Sequence, residues 1–233
     1  VSAIILFMAG IAAIAGWWLS QQRLTAKPWL EEGVMVDLRE ERTSLPPAKV
    51  GLSVFLAVVG SLFALFISAY SMRMNLVDWR TLPVPALLWF NTGVLVLSSV
   101  ALQWAYMAAR RDDIDGTSVG LCAGGAAAIT FLVGQLLAWR QLSGAGYFLA
   151  SNPANSFFYL ITAVHGLHLM GGLVALGRTT AKVLRGAEAS QICLSVELCT
   201  IYWHFLLVVW LILLGLLTGW TDNVVDICRQ LLS

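Results

Sequence analysis

Six stretches of this chain, roughly 1–20, 50–72, 85–109, 117–139, 155–177 and 195–219, are continuously apolar. Each is near or above the roughly 20 residues a helix needs to cross the hydrocarbon core of a bilayer. In lipid every backbone N–H and C=O must be paired within the structure, which leaves only helices or closed barrels. No alternating strand pattern suggests a barrel. The predicted fold class is therefore all-α, a polytopic transmembrane bundle of six helices. Composition agrees: 12% of residues are charged, against roughly 25% in a soluble domain. A net charge of +1 gives no electrostatic ground for a nucleic-acid partner.

Residues 1–20 lack the basic leader of a signal peptide and read as a first span. Residues 21–49 read as an inside-facing connecting loop, 50–220 as a five-helix bundle and 221–233 as a short tail. Pro83 and Pro85 precede the third span, where proline suits a helix start. Trp17, Trp18, Trp79, Trp139 and Trp220 lie near span ends, as aromatic belts do. The odd-numbered connections carry ten Lys and Arg residues and the other side four. That asymmetry puts the odd connections inside and both termini outside. No internal repeat supports an inverted-repeat transporter.

Small residues recur at Gly116, Gly120, Gly124 and Ala128, every fourth position of the fourth span, and such stripes let helices approach closely. Gly172 lies in the fifth span. Of four cysteines, none shows metal-ligand spacing, and Cys122 and Cys199 read as small buried thiols.

All three histidines, His165, His168 and His204, fall inside the last two spans. Ionisable groups in lipid are costly and face the protein interior with partners. His165 and His168 are three apart and share a helix face. Glu197 and His204 are seven apart, again one face, separated by about 10 Å of rise. His165 and His204 come near mid-membrane depth and could approach each other if their helices pack. Glu197 sits near the inner surface, within reach of a lipid headgroup or a subunit contact. Three readings stay open: hydrogen bonds that hold helices together, a lipid or subunit contact surface, and metal or haem ligation by imidazoles from two helices. Nothing here has the form of a catalytic triad, a phosphate loop or a zinc site.

The stretch NSFFYLITAVHGLHLMGG (155–172), followed by VELCTIYWHFLLVVW (196–210), resembles the signature of haem–copper oxidase subunit III: an aromatic pair, an HGLH helix turn, then an acid followed by YWHF and VVW. FLAVVGSLFALFISAY (55–70), LPVPALLWFNTGVLVLSSVAL (82–102) and QLLAW (135–139) resemble the same family, so the likeness covers about residues 50–220. Val59, Ala138 and Leu207 stand where the family often carries acids. The first span does not look like the two N-terminal helices of the longest members, which implies a six-span bacterial variant.

The resemblance implies an accessory subunit of a proton-pumping cytochrome c oxidase in the bacterial inner membrane. Such a subunit belongs to an oxidoreductase complex but has no catalytic centre of its own. Haem and copper then belong to the partner catalytic subunits. The expected partners are oxidase subunit I, oxidase subunit II and membrane phospholipids. Carried over by motif, His165, His168, Glu197, Trp203 and His204 are expected to serve as structural or lipid contacts. The alternatives are an accessory subunit of a quinol oxidase or nitric oxide reductase, and a free-standing haem-binding membrane protein.

Overall fold

The computed structural model describes residues 46–74, 76–186 and 189–219, which form five helices. These are α1 (Pro47–Arg73), α2 (Leu87–Ala109), α3 (Ile114–Gly144), α4 (Pro153–Leu184) and α5 (Ala189–Leu217). All five contain a stretch long and apolar enough to cross a membrane. The span expected at 1–20, residues 21–45 of the long connection and the 221–233 tail lie outside the described residues.

Local chemistry sets the helix ends beyond the apolar windows. Pro47 occupies the first turn of α1, where its missing N–H is no loss, so the helix takes in Lys49 as well. Asp113 caps α3 by accepting from the Gly116 N–H at 2.9 Å. Asp112, just before it, has φ 57°, a left-handed conformation that aspartate tolerates better than most residues. That allows the short reversal from α2 into α3. Asn152 caps α4 through the Ala154 N–H at 3.3 Å, with Pro153 in the first turn. Its amide also donates to the Arg80 carbonyl at 2.5 Å.

Helices α3 and α4 thus reach 31 and 32 residues, or about 46 and 48 Å at ~1.5 Å per residue. That exceeds the ~30 Å hydrocarbon core. The exposed Arg140, Arg178 and Lys182 carry their charge on helical turns that hydropathy alone assigns to connections.

Four helices close a ring: α2 packs on α3, α3 on α4, α4 on α5, and α5 back on α2. Helix α1 lies outside it, in the seam of α4 and α5. The α2–α3 pair is the most extensively packed, and the glycine stripe explains why. A Cβ on Gly120 would fall 2.7 Å from the Ala105 Cβ, and one on Gly124 would fall 2.8 Å from Leu102.

Phe131, Phe158, Trp203 and Trp210 fill the interior and are fully enclosed, whereas Val58, Leu65, Leu97, Leu136 and Leu167 face outward. Lipid is as apolar as leucine, so close fit and internal hydrogen bonds, not hydrophobicity, hold such a ring together. Cys199 is buried, with its sulfur 3.4 Å from the Thr179 hydroxyl. Cys122 departs from its expected burial and is exposed, because it lies on the side of α3 away from the Gly120–Gly124 contact.

Past the end of α1, Arg73 Nη1 donates to Asp78 Oδ1 at 2.7 Å, and Nη2 pairs with Oδ2. The guanidinium hydrogen bond holds the Asp78 carboxyl below the usual carboxylate range. A depressed folded pKa adds stability above the unfolded pKa, and that stability is lost as pH falls through the folded value. The pair is largely open to solvent, so the effect is local. Asp78→Asn is expected to abolish acid-side loosening of residues 76–80, read by hydrogen exchange, without moving the global melting midpoint.

Candidate functional site

The two histidines of α4 share a helix face but not an environment. His165 is fully enclosed. Its ring lies 6.1 Å from Phe63 of α1, 5.9 Å from Phe131 of α3 and 5.1 Å from Trp210 of α5, centroid to centroid. Enclosure by three aromatic rings leaves no open face for a ligand as large as haem. His168 is half-buried, and its Nδ1–H donates to the Val164 carbonyl at 2.8 Å. Its ring stands 5.5 Å from the same Phe63. The HGLH turn is therefore the part of α4 against which Phe63 of α1 packs.

Other polar groups are buried inside the ring. The Trp210 indole N–H donates to the Thr92 hydroxyl at 2.9 Å, tying α5 to α2. Asn91 presses its amide against α3, where a Cβ on Gly134 would fall 2.0 Å from Asn91 Oδ1. The amides of Asn91 and Gln135 and both His165 nitrogens are buried with no protein hydrogen-bond partner among the described residues. Sequence reading missed Asn91 and Gln135. The signal was present, since polar residues inside FNTGV and LVGQLL invite the reasoning applied to the histidines.

Helix α5 sends its functional residues in three directions. Glu197 Oε1 accepts from Lys49 Nζ of α1 at 2.5 Å, so its partner lies within this chain. Trp203 is fully enclosed and fills the gap at Gly172, where a Cβ would meet its ring at 2.8 Å. The neighbouring Tyr202 hydroxyl donates to the His168 carbonyl at 2.8 Å.

His204 points elsewhere. It is exposed, its Nδ1–H donates to the Thr200 carbonyl at 2.7 Å, and it lines a groove with Gln103 and Tyr106 of α2. His165 and His204 are thus not brought together: one is in the ring interior and the other on the α2 side of α5. Among the described residues, no group of three His, Cys, Asp or Glu side chains converges.

The HGLH turn of α4 and the YWHF turn of α5 thus lie in a ring of four helices with an outlying fifth. The family profile described as Cytochrome c oxidase subunit III matches residues 51–222. The chain belongs to that family. The cytochrome c oxidase subunit 3 of Thermostichus vulcanus is 33% identical over 176 residues, covering 72% of this chain and 85% of the relative. A probable cytochrome c oxidase subunit 3 of Mycobacterium bovis is 33% identical over 171 residues, covering 70% and 81%. The subunit 3 of Yarrowia lipolytica is 29% identical over 130 residues, covering 56% and 47%.

Two of the three apolar positions singled out in the sequence, Val59 and Ala138, lie deep in this subunit III chain. Val59 packs with Phe63, Ile161, Val209 and Leu213, and Ala138 is fully enclosed. Leu207 is half-buried and lines the outer part of the α2–α5 groove.

Proposed function

We propose that this accessory subunit of cytochrome c oxidase acts by helix packing: it braces the catalytic subunit, subunit I, alongside subunit II. In doing so it sustains turnover and proton uptake while oxygen is reduced to water. The observation that carries this reading is the use to which its costly polar residues are put. His165, His168, Trp203 and Glu197 all make contacts between helices of this chain, the structural role, with haem and copper residing in the partner subunits. Cytochrome c is the donor to the complex.

Phospholipid has a suitable berth beside these residues. An apolar slot of about 290 Å³ opens between α1, α4 and α5, lined by Leu52, Phe55, Gly171, Gly172, Cys199 and Tyr202. Gly171, where an added Cβ would meet nothing within 4 Å, leaves room for an acyl chain. The Lys49–Glu197 pair links the first turns of α1 to α5, at the depth where a headgroup would lie. The subunit sits in a bacterial inner membrane with its Lys- and Arg-rich connections inside and both termini outside.

The test is purification of the whole complex through a tag on this chain, in wild type and in Glu197→Ala and His204→Ala. A haem–copper catalytic subunit is expected to follow the tag, with all haem and copper confined to it. Each variant is expected to lower the melting midpoint of the complex, with metal and haem per catalytic subunit unchanged. Stoichiometric loss of a haem or copper from an intact complex would refute the bracing role.

A further inference from the structure

The groove between α2 and α5 carries hydrogen-bonding capacity that the chain itself does not use. Ser98, which faces α3, donates to the Gly124 carbonyl at 2.7 Å. Its neighbour Ser99 is only 3% exposed, yet its hydroxyl has no partner among the described residues. Ser99 lines the groove together with Gln103 and His204. The groove continues past Gln103 to Tyr106, Thr200 and Glu197. Thr200 is satisfied by the Leu102 and Val196 carbonyls. His204 donates through Nδ1 to its own helix, which leaves Nε2 for a group from outside. Gln103 contributes a side-chain amide, with two donors and an acceptor oxygen.

Depth makes this unusual. Ser99 is twelve residues into α2 and His204 is thirteen from the end of α5. At ~1.5 Å per residue both lie about 18–20 Å from those helix ends, close to mid-membrane. Acyl chains at that depth offer no hydrogen bonds, and lipid headgroups do not reach it. A polar group left facing hydrocarbon is costly. The outer faces of α1 and α3 carry exposed hydroxyls at Ser61, Ser68 and Thr130 but no amide or imidazole at that depth, and otherwise present Val58, Leu62 and Leu65, and Ile129, Val133 and Leu136. The groove is rimmed by exposed apolar side chains, Val96, Val100, Trp104 and Met107. That combination, an apolar rim around unmet polar groups, suits a protein helix and not a lipid tail.

We propose that the α2–α5 groove is the face on which the catalytic subunit docks, laying across it a transmembrane helix whose hydrogen-bonding side chains meet Gln103 and His204. The assignment rests on the bracing function above and adds to it the face and the chemistry of the contact. Polar interhelical bonds of this kind fix rotation and register where hydrophobicity cannot.

The test places a photo-crosslinking phenylalanine analogue at Val100 on the groove rim, and separately at Leu65 of α1 and Leu136 of α3, in the tagged complex in native membranes. Adducts between Val100 and the catalytic subunit, at least roughly tenfold above those from Leu65 and Leu136, are expected. Adducts from Val100 only with lipid or with a second copy of this chain would overturn the proposal. So would capture of the catalytic subunit from Leu65 or Leu136 in place of Val100; the bracing function would then stand and the groove assignment alone would fall. If no catalytic subunit follows the wild-type tag, the bracing function falls and takes the groove with it.

A second measurement isolates the hydrogen bonds. The double variant Gln103→Leu, His204→Leu removes no bond to another helix of this chain, so the isolated chain should melt as wild type. Retention of the catalytic subunit on detergent dilution should drop roughly tenfold, the size expected from two intramembrane polar contacts. Unchanged retention would show that the groove's polar groups do not hold the partner.

Discussion

Gly120→Val is expected to prevent the four-helix ring from closing, leaving little assembled subunit in the membrane. A single Cβ at this position would already lie 2.7 Å from the Ala105 Cβ and 3.0 Å from the Ala101 carbonyl oxygen. Neither obstacle can swing away: one is the stub of an alanine, the other is backbone. The remedy is to push α2 and α3 apart along their most extensively packed seam. Overpacking by one or two methyl groups costs roughly 1–3 kcal/mol in a well-packed core, occasionally more. Here the same shift would also strain the bond from Ser98 to the Gly124 carbonyl. Gly93→Ala serves as the control, because a Cβ there meets nothing within 4 Å. The check is the amount of folded chain recovered and its melting midpoint in detergent. Gly120→Val near wild type would mean that α2 and α3 do not pack as closely as these distances require.

That stripe was also the most legible packing feature in the sequence. Small residues every fourth position mark a helix face, and close approach is the main use lipid leaves for them. The spans were legible for a related reason: hydrocarbon demands about 20 apolar residues in a row. Their ends were not, because Asp113 and Asn152 cap helices by hydrogen bonds that a hydropathy window does not see.

The polar residues were legible as individuals but not as partners. Pairing depends on how each helix is rotated and on which helices touch, and neither follows chain order. Helix α1 packs on α4 and α5, not on its neighbour α2. This is why Lys49, counted as part of a connecting loop, turns out to meet Glu197. The same rotation separates His165 from His204. The buried amides of Asn91 and Gln135 were passed over because uncharged amides stand out less than imidazoles. Their cost in lipid follows the same rule.

The two enclosed tryptophans of α5 should respond unequally to the loss of an indole N–H. Trp210 donates to Thr92, packs edge-on to Phe131 at 4.9 Å and stacks beside His165. It therefore joins α2, α3, α4 and α5 at one point. Trp203 is equally enclosed, but its N–H is buried with no partner among the described residues. Trp210→Phe should cost about 0.6–2 kcal/mol, the range of interhelical hydrogen bonds in membranes. Trp203→Phe removes an unmet donor, so it should cost less than Trp210→Phe, with only the void left by the smaller ring against it. Trp210→Ala is the more severe change. In soluble cores such a truncation costs about 3–5 kcal/mol, and part of that is transfer of apolar surface away from water. Lipid supplies no such term, so what remains is the cavity and the lost dispersion contacts, together with the Thr92 bond. Melting of the detergent-purified chain should rank Trp210→Ala well below Trp210→Phe, and both below Trp203→Phe. If Trp203→Phe proved as damaging as Trp210→Phe, the indole hydrogen bond would not be what distinguishes the two sites. The stability of the ring would then rest on ring packing alone.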